Sequence, residues 1–256
     1  MKKYLEEFHQ LKIFRKKDVL ALTGDENAAK ELLRRYKKHE LVSQIRRDLY
    51  VVTDLVNKSS VASKYEIGSR ISSTSYISYH SAMEYHGMGH QVFYDIFVCS
   101  DEKFRNFEYE GIHYLRCEST IDAGVISPQT DTLVKVTDLE RTIIDCINRI
   151  DRCGGLEELI ECLALITYAD DEKLLDYLDA YKTQALYQRT GFILSYFQNE
   201  MKLRDTFFEE CKTKTGKSVR YLTTDPTESD TYFKEWKLYA PKNILSFLEQ
   251  GGTDYA

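Results

Sequence analysis

Asn27, Lys30, Arg34, Lys37 and Lys38 recur three or four residues apart between Glu26 and Glu40. At about 100° per residue they share one side of a helix, with Ala29, Leu32, Leu33 and Tyr36 on the other. The first stripe carries an amide and four cations. Asn pairs bidentately with adenine, Arg with guanine, and Lys neutralises phosphate. The second stripe is what holds such a helix to its own domain. The chemistry implied is recognition of duplex DNA, with Asn27, Lys30 and Arg34 facing base edges or phosphates and Lys37 and Lys38 on the backbone. Arg46 and Arg47 stand at the turn of the ribbon that follows, where a wing meets phosphates. Lys16 and Lys17, at the start of the preceding helix, are further phosphate contacts or i,i+4 surface partners.

The elements that would position these residues form a winged helix-turn-helix. A first helix spans Lys3–Gln10. A second runs from Lys16 to Leu22 and stops at Thr23-Gly24, and Asp25 caps the recognition helix. The wing is the hairpin 41–46 and 49–53, its register marked by Val42, Ile45, Leu49 and Val51. Residues 1–55 then form a DNA-binding domain and 56–75 a connector with a short helix near Val61–Ile67. Residues 76–256 form a second, α+β domain with a helical C-terminal part, so the fold class is α+β.

In that second domain the pattern gives a helix over 76–86 ended by Gly87, a strand over 91–100, and a hairpin of 105–109 with 112–117 across Glu110-Gly111. A further strand, 132–136, leads into the sequence Thr137-Asp138-Leu139-Glu140, which reads as a capping box with Thr137 and Glu140 as its reciprocal pair. Helices follow at 156–168, 171–181, 183–201 and 203–213, then closing strands near 219–223 and 236–239. Pro128, Pro226 and Pro241 fall in loops.

Charge supports a chain that touches DNA at one end. Residues 1–55 hold 13 Lys and Arg against 9 Asp and Glu, a net of +4, which leaves −10 for the remainder of a chain of net charge −6. The six cysteines (Cys99, Cys117, Cys146, Cys153, Cys162, Cys211) include no C-x-x-C pair and no His at ligand spacing, the pattern of buried thiols in a reducing cytoplasm. No apolar run approaches a membrane span and no signal segment opens the chain, so a cytoplasmic protein with no membrane contact is expected.

His80 and His86 are six residues apart, about 240° around a helix, and with His90 they lack the i,i+4 geometry of zinc ligands; no metal and no cofactor are expected. Arg141 and Asp145 have the spacing of a surface salt bridge, and Arg141 is also a candidate partner-facing group. Gly191 sits in an apolar helix, where Gly costs about 1 kcal/mol against Ala, so Arg189 and Gly191 are assigned to a close packing contact. No phosphate-binding loop, dinucleotide fingerprint or nucleophile elbow occurs. A further reading is a nuclease built on a carboxylate cluster of Asp95 and Glu108.

The chain resembles the AbiEi family of bacterial antitoxins, the repressor halves of two-gene abortive-infection systems. The likeness rests on the N-terminal winged helix and on three segments in order: His80-Ser81-Ala82-Met83-Glu84-Tyr85-His86-Gly87, similar to the family's S-A-x-x-x-H-G; Asp138-Leu139-Glu140-Arg141-Thr142-Ile143-Ile144-Asp145, similar to D-x-E-R-[AT]-[IL]-[IL]-D; and Arg189-Thr190-Gly191-Phe192-Ile193-Leu194, similar to R-x-G-[FY]-[IL]-L. The resemblance implies a small sheet flanked by helices as an antitoxin domain. It also implies autorepression at inverted repeats in the operon's promoter, where two copies could pair as a homodimer, and neutralisation of a nucleotidyltransferase-like toxin. The chain departs from the shortest members by a longer helical tail after Arg189. The toxin class itself would show Gly-Ser and, some ten residues on, Asp-x-Asp or Asp-x-Glu; here Gly68-Ser69 is followed by Tyr79-His80-Ser81, so this is not the toxin, and no catalysis is expected. The alternative is a protein-interaction module that binds and inhibits a partner enzyme with little DNA binding.

Overall fold

The computed structural model describes residues 4–224 and 230–250, and the chain is α+β. Its opening elements are α1 (Leu5–Leu11), β1 (Ile13–Phe14), α2 (Lys16–Thr23), α3 (Glu26–Lys38), β2 (Val42–Arg46) and β3 (Leu49–Val52). Next come α4 (Lys64–Ser69), β4 (Tyr76–Ile77), α5 (His80–Tyr85), β5 (Asp95–Cys99), β6 (Phe107–Tyr109) and β7 (Ile112–Cys117). They are followed by β8 (Val125–Ile126), β9 (Val136–Thr137), α6 (Leu139–Asn148), α7 (Leu156–Ala164), α8 (Asp171–Tyr181) and α9 (Gln184–Leu194). The last are α10 (Gln198–Met201), α11 (Asp205–Lys214), β10 (Arg220–Tyr221), β11 (Asp230–Phe233), β12 (Leu238–Pro241) and α12 (Ser246–Gln250). Among the described residues no helix is long and apolar enough to cross a membrane. All six cysteines are buried and unbridged.

Two compact units emerge. One takes the chain up to Tyr76 together with Tyr94–Arg116 and Ser127–Lys135; the other takes Ile77–Phe93, Cys117–Ile126 and the chain from Val136 onward. This division differs from cuts at 55 and 75. The stretch expected as a connector is tied down by side-chain hydrogen bonds that periodicity cannot reveal. Ser63 and Glu66 form a capping box at the start of α4. Glu66 also receives Lys12 Nζ at 2.7 Å, and Ser69 Oγ accepts from Lys135 N at 3.0 Å.

The first unit begins with the order α1-β1-α2-α3-β2-β3, the order of a winged helix, and its three strands pair as β1-β3-β2. Phe8, Phe14, Val19, Ala29, Leu32, Leu33, Tyr36, Val42 and Val52 pack into one core, with the rings of Phe8 and Phe14 stacked at 4.5 Å. Gly24 ends α2 at φ 72°, a left-handed position where glycine carries no Cβ penalty. Asp25 then caps α3 by accepting from Ala28 N at 2.7 Å. Asp25→Ala should therefore lower stability by about 1 kcal/mol, read as a shift in urea midpoint at unchanged slope; no shift would mean that the cap is dispensable. The hairpin β6–β7 turns at Glu110 and Gly111, both at positive φ (50° and 75°), as a tight two-residue connection requires.

In the second unit Ile77 of β4 pairs in parallel with Val136, and β8 pairs antiparallel with β9. Helix α6 starts on a different cap from the one expected. Asp138, not Thr137, accepts from Arg141 N at 2.9 Å. Thr137 is buried, its Oγ1 against that of Thr142 at 2.7 Å, and Glu140 accepts from Asp170 N at 3.1 Å. The long helix expected over 183–201 is broken after Leu194 by a 3₁₀ turn at Ser195–Phe197, where Ser195 Oγ donates to Phe192 O at 2.7 Å. Helix 156–168 stops at Ala164. The strands expected at 91–100 and 132–136 shrink to β5 and β9, and the helix expected over 76–86 is divided between β4 and α5. Pro241 ends strand β12 instead of lying in a loop, while Lys3 and Pro226 lie outside the described residues.

Candidate nucleic-acid interface

Helix α3 carries the two stripes read from the sequence. Ala29, Leu32, Leu33 and Tyr36 are buried, whereas Asn27, Lys30, Arg34, Lys37 and Lys38 are exposed. Their cations are not bare. Glu26 Oε1 lies 2.7 Å from Lys16 Nζ and 3.5 Å from Lys30 Nζ, and Glu31 takes Arg34 through two bonds of 2.8 and 2.9 Å. Lys37 Nζ donates to Gln44 Oε1 at 2.7 Å. The hydrogen bond from Lys16, then the charges of Lys16 and Lys30, hold the Glu26 carboxyl below its ordinary range. These are water-exposed pairs, with Lys30 and Arg34 side chains 59% and 72% accessible, so a phosphate can compete for either cation at small cost.

Beside the helix is a cleft of about 550 Å³ bounded by α2, the first turn of α3 and the wing. Lys16, Lys17, Gln44, Arg47 and Tyr50 line it, so the structure brings Lys16 and Lys17 next to Arg47 across thirty residues of chain. Two hydrogen bonds fix that geometry: Lys16 N donates to Asp48 Oδ1 at 3.0 Å, and Arg15 Nη1 to Asp48 O at 3.4 Å. Sequence reasoning passed over Gln44, because strict alternation on β2 places it on the face of the inward Val42; in the structure it is exposed, next to a register shift.

Arg46 does not belong with this set. A register shift between Gln44 and Arg46 turns its side chain inward, over the rings of Phe104 and Phe107 at 5.5 and 5.2 Å. Its Nη1 is buried, and burial holds the guanidinium below its ordinary value. Arg46 is a packing residue, and of the two only Arg47 lines the cleft.

Arg141 likewise is no partner-facing group. It and Asp145 are each 1% exposed, joined at 2.7 Å. Arg141 Nη1 also donates to Ile121 O at 3.1 Å and Ala123 O at 2.5 Å. What the i,i+4 spacing predicts as a surface bridge is a buried one, because α5, α8 and α9 pack on α6. Asp95 and Glu108 flank His113, which lies 2.8 Å from the first and 3.8 Å from the second; the imidazole separates the two carboxylates. Of the three neighbouring histidines, His86 Nε2 binds Thr137 O at 2.7 Å, and His80 meets Glu158 and Cys162. The second grouping joins positions 78 residues apart and has no local signature.

No protein-family model matches the chain, and no curated protein matches it. Among solved structures it is similar to the crystal structure of the RV2827C protein from Mycobacterium tuberculosis. The TM-score is 0.64 at 13% sequence identity, over 94% of this chain and 90% of that one. At that identity the likeness is one of fold.

Proposed function

We propose that this chain is a DNA-binding transcriptional repressor of the AbiEi type. In this reading it acts in the cytoplasm, represses its own operon and serves as antitoxin to a nucleotidyltransferase-like toxin encoded there, in an abortive-infection defence against phage. The observation that carries the DNA-binding part is α3, whose apolar side is buried while Asn27, Lys30, Arg34, Lys37 and Lys38 stay in solvent. The cleft holding Lys16, Lys17 and Arg47 adds backbone contacts next to it. The antitoxin part rests on the three motif segments in order. The proposal gives no residue a catalytic role.

The salt dependence of binding to a duplex from the chain's own promoter tests this reading. Log affinity should fall linearly with log salt, with a slope of about 0.9 per neutralised phosphate. Substituting Lys16, Lys17 and Arg47 together by alanine should flatten the slope by roughly 2 to 3. A slope unchanged by the triple substitution would remove the cleft from the interface.

One observation favours the second reading, a module that grips a partner enzyme. Glu26 and Glu31 together engage Lys16, Lys30 and Arg34, so the face is less cationic than its lysine and arginine content implies. Co-purification with the product of the adjacent gene, combined with salt-insensitive and sequence-blind DNA binding, would favour that reading.

A further inference from the structure

Three polar side chains in the second unit take no part in the proposed DNA interface. His80 opens α5 and is fully buried; Glu158 and Cys162, on α7, are 2% and 0% exposed. An i,i+4 spacing puts the carboxylate and the thiol on one face of α7. His80 Nε2 lies 2.8 Å from Glu158 Oε1, and Cys162 Sγ lies 3.2 Å from the same oxygen. One donor atom from each of the three residues falls within 4.8 Å of the other two. His90 approaches from the segment after α5, its Nδ1 3.5 Å from Glu158 Oε2. The Phe93 ring covers His80 at 4.1 Å between centroids.

The hydrogen bonding of this cluster is lopsided. Glu158 Oε1 also accepts from Gln91 N at 2.9 Å and His90 N at 3.2 Å. Among the described residues, Glu158 Oε2 and His80 Nδ1, both buried, have no hydrogen-bond partner. A self-sufficient buried polar network satisfies all its members. Here one carboxylate oxygen is crowded with donors, while the other is approached by the half-exposed His90 at 3.5 Å.

We propose that His80, Glu158 and Cys162 bind one zinc-class divalent ion, with His90 supplying the fourth donor. A nitrogen, carboxylate and thiolate set suits Zn²⁺ or Co²⁺ and is a poor match for Mg²⁺ or Ca²⁺, which prefer all-oxygen shells. One thiolate and one carboxylate cancel the charge of the ion, so the loaded cluster brings no net charge into the core. On binding, the Cys162 thiol proton passes to solvent and its sulfur lone pair becomes the ligand. Tetrahedral donors about 2.0–2.3 Å from zinc stand roughly 3.3–3.7 Å apart. The separations of Glu158 Oε1 from His80 Nε2 and Cys162 Sγ therefore open by up to about half an ångström, a side-chain adjustment. Three buried protein ligands and a fourth from the 86–93 segment leave no coordination position open, which makes the site structural. The ion ties α5, α7 and that segment together.

Titration of the reduced full-length chain with Co²⁺ tests the proposal. One equivalent should bind, with a thiolate-to-cobalt charge-transfer band in the near ultraviolet and strong visible bands of a tetrahedral ion, and Zn²⁺ should displace it. Cys162→Ser should abolish the charge-transfer band. Cys211→Ser, a buried cysteine of α11 outside the cluster, should keep it. His90→Ala should weaken affinity at least about tenfold, as loss of one ligand or its support does. Should Cys162→Ser fail to fold, the wild-type titration still decides. A folded wild-type chain without the charge-transfer band, or the band persisting in Cys162→Ser, would overturn the proposal.

Discussion

Replacing Arg141 with methionine is expected to destabilise the chain by about 3–5 kcal/mol, the cost of leaving one partner of a buried ion pair alone. Asp145 would keep the hydroxyls of Ser78, at 2.9 Å, and Tyr181, but no cation, at 1% exposure. The carbonyls of Ile121 and Ala123 would lose their donor as well. At this chain length each kcal/mol lowers Tm by about 2–4 °C, so the loss is large in a thermal scan. The companion experiment is the double change Arg141→Met with Asp145→Leu, which removes both charges together. It should recover much of the loss, because a buried pair contributes little net stability relative to apolar groups of similar shape. A double variant no more stable than Arg141→Met would mean that the carbonyl contacts dominate.

Gly191→Ala is the second large effect, and its sign runs against helix propensity. In an exposed helix the change would gain about 1 kcal/mol. Here an added Cβ would stand 2.2 Å from Trp236 Cζ3 and 2.4 Å from Cη2, a contact that only displacement of the indole can relieve. Overpacking of this kind costs about 1–3 kcal/mol, so net destabilisation is expected. Trp236 is the sole tryptophan of the chain and is 4% exposed, so its fluorescence reports the displacement directly. A red-shifted emission with reduced stability is the expected result. Trp236→Leu in the Gly191→Ala background should cost less than Trp236→Leu alone. Unchanged emission and higher stability would show that the added methyl is accommodated without displacing the indole.

Local periodic signals carried much of the fold. The stripes of α3, the Gly24–Asp25 punctuation, the Glu110-Gly111 turn and helix 171–181 were legible because each depends on residues within four positions of one another. The two-residue strands β1 and β8 were not, since two residues hold no period. Arg46 shows how a turn position misleads: assigned to the phosphates from its place at the end of the ribbon, its side chain lies over the rings of Phe104 and Phe107, beside a register shift in β2. The cap of α6 was displaced by one residue because both Thr137 and Asp138 are good caps, and the burial of Thr137 in β9 decides between them. Burial of Arg141 and convergence of His80 with Glu158 and Cys162 depend on tertiary packing over tens of residues. No spacing rule reaches that far.

The central claim is that the solvent side of α3 reads duplex DNA. Fluorescence anisotropy with a labelled duplex from the region upstream of the chain's own reading frame, against a scrambled duplex of equal length, tests it most directly. The wild-type chain should prefer the promoter duplex. Lys30→Ala with Arg34→Ala should lose that preference, each good base pairing contributing about 1–3 kcal/mol, while the circular dichroism of the folded chain stays intact. Equal binding of the two duplexes by the wild-type chain, or undiminished preference in the double variant, would contradict it.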